Sequence, residues 1–156
     1  MKRISISFLL SFILLIILSA CKQDKWIDWK ILNDQWYAKH KTDSGFVTTS
    51  SGVCYKIIWA GSSYDRRPDA NSVVVVSYKG TLIDGSVFDK IPNDSSTSMY
   101  LSSTIAGWQE ILPKVHNGAH LQLYIPSASG YGTSTSNTAI PPNSVLIFDI
   151  NLKDSY

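Results

Sequence analysis

Period-two alternation dominates the second half of the chain, and it limits the fold more than any other feature. Val74, Val76 and Tyr78 share one face of a segment running from Val73 to Gly80. Leu121, Leu123 and Ile125 do the same within Ala119–Ile125, and Leu146, Phe148, Ile150 and Leu152 within Val145–Leu152. Upstream, Val53, Tyr55, Ile57 and Trp59 alternate with Cys54, Lys56 and Ile58. Successive side chains of a strand point to opposite faces, so each segment predicts a strand. Asp84-Gly85 is a hairpin turn signal. Residues 60–72 read as a turn-rich loop, 90–98 as a polar loop and Met99–Leu101 as a short strand. Gly107 to about Val115 predicts the one helix of this region, with Gly118 as its terminator. Pro113 lies inside it, removing a backbone donor and crowding the preceding turn at a cost of ~3 kcal/mol. A short helix ending near Leu112 is therefore expected. Many strands with one short helix make an α+β domain.

The N-terminus has a different character. Lys2 and Arg3 precede an apolar stretch, Ile4–Ile17, which leads into Leu18-Ser19-Ala20-Cys21. The stretch is short for a spanning helix, which needs about 20 residues. It reads as a bacterial lipoprotein signal over residues 1–20, removed on export, with Cys21 as the lipidated residue and membrane attachment. Residues 22–25 form a polar tether. Residues 26–40, carrying Trp26, Trp29 and Trp36 without Gly or Pro, predict a helix. That helix packs on its own domain or makes a homodimer contact. Residues 41–52 read as a linker. The domain plan is thus signal 1–20, lipidated Cys, tether, helix and linker 21–52, and main domain 53–156.

Charge and cysteine content exclude several classes of function. The whole chain has 14 basic and 12 acidic residues, and removal of Lys2 and Arg3 leaves 12 of each. A neutral processed chain without a basic cluster does not point to nucleic acid. With Cys21 lipidated, Cys54 stands alone within an apolar strand and reads as a small buried hydrophobe. The histidines are His40, His116 and His120, and Gly118 interrupts the helical spacing that the last two would need to hold a metal. No metal site, phosphate loop or Ser–His–Asp context is expected.

The motifs along the second half are more specific. Val-Ser-Tyr-Lys-Gly-Thr-Leu-Ile-Asp-Gly-Ser-Val-Phe-Asp is followed by Ile-Ala-Gly-Trp, then Ile-Pro-Ser-Ala-Ser-Gly-Tyr-Gly, then Ile-Pro-Pro-Asn-Ser-Val-Leu-Ile-Phe-Asp-Ile. This ordered set, from Val76 to Ile150, resembles the FKBP-type peptidyl-prolyl isomerases. The resemblance implies a curved antiparallel sheet wrapped around one short helix. It implies Trp108 as the floor under a proline ring, with Tyr78, Phe88, Ile105 and Phe148 as walls. The backbone N–H of Ile105 and the hydroxyl of Tyr131 would donate to substrate carbonyls. Asp89 would accept from Tyr78 at the rim. Met99 stands where a pocket phenylalanine is common, and Ser129 where an aromatic is common. The loop Thr133–Thr138 is bland, leaving Ala139 and Ile140 to add apolar contact.

Such a cup needs neither nucleophile, metal nor cofactor. The resemblance implies an enzyme of the cell envelope of a Gram-negative bacterium, lipid-anchored at the outer membrane, acting on proline-containing polypeptide clients. Two other functions remain open on these residues: a peptide-binding chaperone with little turnover, and an envelope assembly lipoprotein. Met99, Ser129 and the bland loop favour binding. The intact aromatic set favours catalysis.

Overall fold

The computed structural model describes residues 26–134 and 138–156. The readings on residues 1–25, including Cys21, and on 135–137 of the bland loop lie outside them. The alternating segments form the strands they predict. The full set is β1 (Val47–Thr48), β2 (Cys54–Trp59), β3 (Val73–Thr81), β4 (Val87–Ile91), β5 (Thr97–Tyr100), β6 (His120–Ile125) and β7 (Leu146–Ser155), of which β2, β3, β6 and β7 are the alternating segments. All pair antiparallel in one seven-stranded sheet of order β1-β2-β6-β7-β3-β4, with β5 also beside β3. The long strand β3 meets β7 along one edge and β4 and β5 in succession along the other.

Helix α1 spans Ile27–His40 and α2 spans Ala106–Ile111. Pro113 acts as expected: the α-helix stops at Ile111 and a 3-10 turn, Leu112–Lys114, carries the chain past it. Gly118 therefore does not terminate the helix. At φ +83° it forms the turn into β6, where its N–H donates to Leu152 O. Trp108, Ile111 and Leu112 pack against the predicted inward faces: Leu121, Leu123 and Ile125 of β6 and Leu146, Phe148, Ile150 and Leu152 of β7. These β6 and β7 side chains are at most 4% exposed, so each contributes roughly 1.5–3 kcal/mol of burial.

Two loop readings need correction. The linker 41–52 contains β1, whose Val47 and Thr48 pair with Tyr55 and Cys54. Two paired residues are too few to leave an alternation in the sequence. The polar loop 90–98 is shorter than expected, because Lys90 and Ile91 close β4 and Thr97 opens β5. Leu101 has left the strand and begins a 3-10 turn, Leu101–Ser103. Cross-strand register to β3 holds these polar residues extended, and such pairing carries no composition signal.

Helix α1 is seated on the domain by polar contacts. Trp29 Nε1 donates to Ser144 Oγ at 2.9 Å, and the Tyr37 hydroxyl donates to Gly52 O. Asn33 is fully buried; its Oδ1 accepts from Val145 N at 2.7 Å and its Nδ2 donates to Trp29 O at 2.8 Å. Asn33→Ala leaves the Val145 N–H without an acceptor, which costs ~1–3 kcal/mol. Chemical unfolding should show that loss with an unchanged denaturant slope. Cys54 is buried beneath the same helix and forms no disulfide among the described residues, its Sγ 3.5 Å from the Tyr37 hydroxyl.

Candidate functional site

The sheet and α2 hold an aromatic cup between them. Its floor is Trp108, in the first turn of α2 and 3% exposed. Tyr78 comes from β3 and Phe148 from β7, each edge-on to the indole: ring centroids lie 5.1 Å and 5.2 Å from it, at 87° and 78°. Phe88, from β4, meets Phe148 at 5.4 Å and 87°. T-shaped packing suits the quadrupoles of aromatic rings and fixes each wall by its neighbour. The cavity measures about 460 Å³ and includes Ile105, Met99, Asp89 and Tyr131 at its sides and rim.

Phe88 can lie this close to the sheet because position 80 on β3 has no side chain. A Cβ on Gly80 would come within 2.5 Å of Phe88 Cζ and 3.0 Å of Phe148 Cε1. This residue shapes the cup without lining it. Its signal in the sequence was a glycine inside a strand, which marks close approach of another group.

The polar groups are few and placed at the rim. The Tyr78 hydroxyl donates to Asp89 Oδ2 at 2.6 Å. Burial, then the bond to Asp89, pushes the Tyr78 phenol well above its ordinary value. Burial and then the charge of Asp89 push Tyr131 up as well. Both phenols thus stay protonated, as donors, through neutral pH. Tyr131 is about half exposed, and its hydroxyl has no partner among the described residues. Ile105 precedes α2 in extended conformation (φ −67°, ψ 151°), its carbonyl taken by Trp108 N, while no described acceptor meets its N–H. Gln109 Nε2 clamps the preceding loop by donating to Thr104 O at 2.6 Å, and Thr104 Oγ1 donates to Leu101 O at 2.7 Å. Trp108 Nε1 is buried with no acceptor among the described residues. The flanking Tyr78 and Phe148 rings offer only weak π acceptors.

The structure therefore brings together Tyr78, Phe88, Asp89, Met99, Ile105, Trp108, Tyr131 and Phe148. It does not bring in Ile140, which is 3% exposed and packs in the core, off the cup lining. Leucine- and isoleucine-sized side chains after a loop are drawn inward by the same burial that fills the core. Ser103, Thr104, Ala106 and Gly130 also line the cup and were missed, being small residues without a chemical signature. Ser129 is buried in a 3-10 turn, Ser127–Ser129. His120 Nε2 lies 2.9 Å from Asp149 Oδ1, on the other face of the sheet from the cup.

The cup is apolar on its floor and three sides, with two donors at its edge that no described residue pairs. That is a site for an uncharged ring flanked by carbonyls. The sequence profile of the FKBP-type peptidyl-prolyl cis-trans isomerases matches residues 64–153. The chain belongs to this family. The isomerase FkpA of Escherichia coli K12 is 37% identical over 121 residues, covering 77% of this chain and 44% of that protein. The outer membrane protein MIP of Legionella longbeachae is 36% identical over 124 residues, covering 79% and 52%. The chain spans about half the length of these curated relatives. The crystal structure of Escherichia coli FkpA superposes with a TM-score of 0.76 at 32% identity, covering 99% of this chain and 74% of that one. A peptidyl-prolyl isomerase from Pseudomonas syringae gives 0.76 at 28%, covering 86% and 98%.

Proposed function

We propose that this chain catalyses cis–trans isomerisation of Xaa-Pro bonds in exported polypeptides. Rotation about a prolyl amide breaks resonance over a barrier of ~18–20 kcal/mol. Water stabilises the planar, polarised amide and thereby resists the twist. A cup that strips that water and fits the twisted form binds the transition state more tightly than the ground state. The observation that carries this reading is the interlocked set Trp108, Tyr78, Phe148 and Phe88, open at one end, with donors at Ile105 N and Tyr131 Oη that no described residue pairs. Trp108 receives the ring, Ile105 N–H and the Tyr131 hydroxyl hold the flanking carbonyls, and Asp89 orients Tyr78. Met99, Phe88 and Phe148 close the sides. Magnetisation-exchange NMR on short Xaa-Pro peptides tests this with residues 22–156. Leu-Pro should exchange faster than Glu-Pro, because the rim carries Asp89 and the walls are apolar. Exchange no faster than in buffer, from a folded domain that still binds proline peptides, would leave a binding module.

The relative named as an outer membrane protein supports the same placement for this chain. The reading is a lipid-anchored protein of a Gram-negative envelope, held through Cys21, with the signal at 1–20 and the isomerase domain from 53 to 156. More than one acyl chain gives stable anchoring, so Cys21→Ser should release the protein into the soluble fraction or halt processing. A processed Cys21→Ser protein that stays with membranes would contradict this. Exposed Ile27, Ile31 and Leu32 on α1, each more than 40% accessible, support a homodimer contact through residues 26–40.

A further inference from the structure

A second groove lies on the face of the sheet opposite the cup. It encloses about 510 Å³ and runs over β4, β3, β7 and β6. Strand alternation puts it there: Tyr78 and Phe148 turn their rings to the cup, so Lys79, Ile147 and Asp149 face the other way. Its apolar part is built on Ile147 and Tyr124, which are cross-strand partners on this face, with Thr81, Gln122 and Asp149 beside them.

Its charges are arranged against the interest of the sheet alone. Lys79 and Lys90 are direct cross-strand partners and both are exposed. Like charges set opposite each other destabilise a strand pair. A carboxylate could relieve them, and Asp149 is the partner of Lys79 on the other side. That carboxylate is engaged elsewhere: His120 Nε2 lies 2.9 Å from Oδ1, and Gln122 Nε2 donates to Oδ2 at 3.2 Å. Neither Lys79 nor Lys90 has an ion pair among the described residues. Among the described residues both ammonium groups thus stand without a carboxylate partner at the lip of a concave channel whose base is partly apolar.

We infer that this groove is a second polypeptide site, taking a carboxylate-bearing extended segment whose apolar side chains rest on Ile147 and Tyr124. Charge complementarity selects an acidic occupant. The concavity selects a chain over a flat anionic membrane, and a partly apolar base with two cations is poorly matched to a phosphate backbone. A client would then be held away from the prolyl site while another part of it visits the cup. Linking two weak contacts in this way raises the local concentration at the second.

The test uses a fluorescein-labelled, proline-free peptide alternating Glu and Leu, and a control with Gln for Glu. Anisotropy titration should show the acidic peptide binding more tightly than the control, and less so as salt rises. The double variant Lys79→Gln/Lys90→Gln should weaken acidic binding about 10-fold, in line with two partly exposed ion pairs. Exchange of a neutral Leu-Pro peptide should be unchanged in that variant, which separates this site from the cup. Equal binding of the two peptides would overturn the inference. So would acidic binding that survives the double substitution, or binding of the wild type to anionic vesicles without any to the peptide.

Discussion

Replacing Gly80 by alanine is expected to lower isomerase activity on the order of 10²-fold while the protein stays folded. The added methyl would lie 2.5 Å from Phe88 Cζ and 2.6 Å from Cε2, closer than nonbonded carbons approach. Something must move. The β3 backbone is held by β4 on one side and by β7 on the other, with Gly80 opposite Asp89 and Phe148. Phe88 sits at the rim, half-buried, and is free to swing outward. Overpacking of this kind costs ~1–3 kcal/mol, less than the ~5–15 kcal/mol by which domains are stable. The fold survives, and the cup loses one wall. A displacement of about 1 Å in a positioning group can cost 10²-fold in rate. Exchange NMR together with a melting curve checks both halves. A variant that melts normally and retains full activity would show that Phe88 does not need its present seat.

Phe88→Ala removes the same wall without disturbing the backbone. The Phe88 ring packs edge-to-face on Phe148 and closes one side of the cavity. Its loss lets water reach the bound amide, restoring the solvent that favours the planar form. An aromatic contact is worth ~0.5–1.5 kcal/mol beyond its buried area, and loss of that area adds to it. A fall in kcat/KM of ~10–100-fold follows, since each 1.36 kcal/mol is tenfold. KM should rise less than kcat falls, because the wall matters most to the twisted amide. The melting temperature should move little, for Phe88 is not among the fully buried core residues.

The sheet was legible where one face is buried. β3, β6 and β7 bury their inward side chains fully or nearly so, and burial is what writes period two into a sequence. β1 and β5 bury little, and their pairing is set by register with β2 and β3, which no local pattern records. The short central helix was legible from Pro113, whose missing N–H acts wherever it sits. The cup was legible through its aromatic residues, read as an ordered set against the family. Ile140 lies in the core and off the cup lining, and an apolar residue after a loop fits a cup wall and a core equally well from sequence. Gly80 was passed over because its contribution is the absence of a side chain, visible only beside the Phe88 ring.

The central claim is that shape and desolvation outweigh hydrogen bonding at this site. The carbonyl oxygen loses charge as the amide twists, so a donor to it gains little on the way to the transition state. Side-by-side kcat/KM values for Phe88→Ala and Tyr131→Phe, on a Leu-Pro peptide, measure that balance most directly. The account predicts less than about 10-fold for Tyr131→Phe, the worth of a single hydrogen bond, and a larger loss for Phe88→Ala. With both variants shown to be folded, a larger loss in Tyr131→Phe would contradict it.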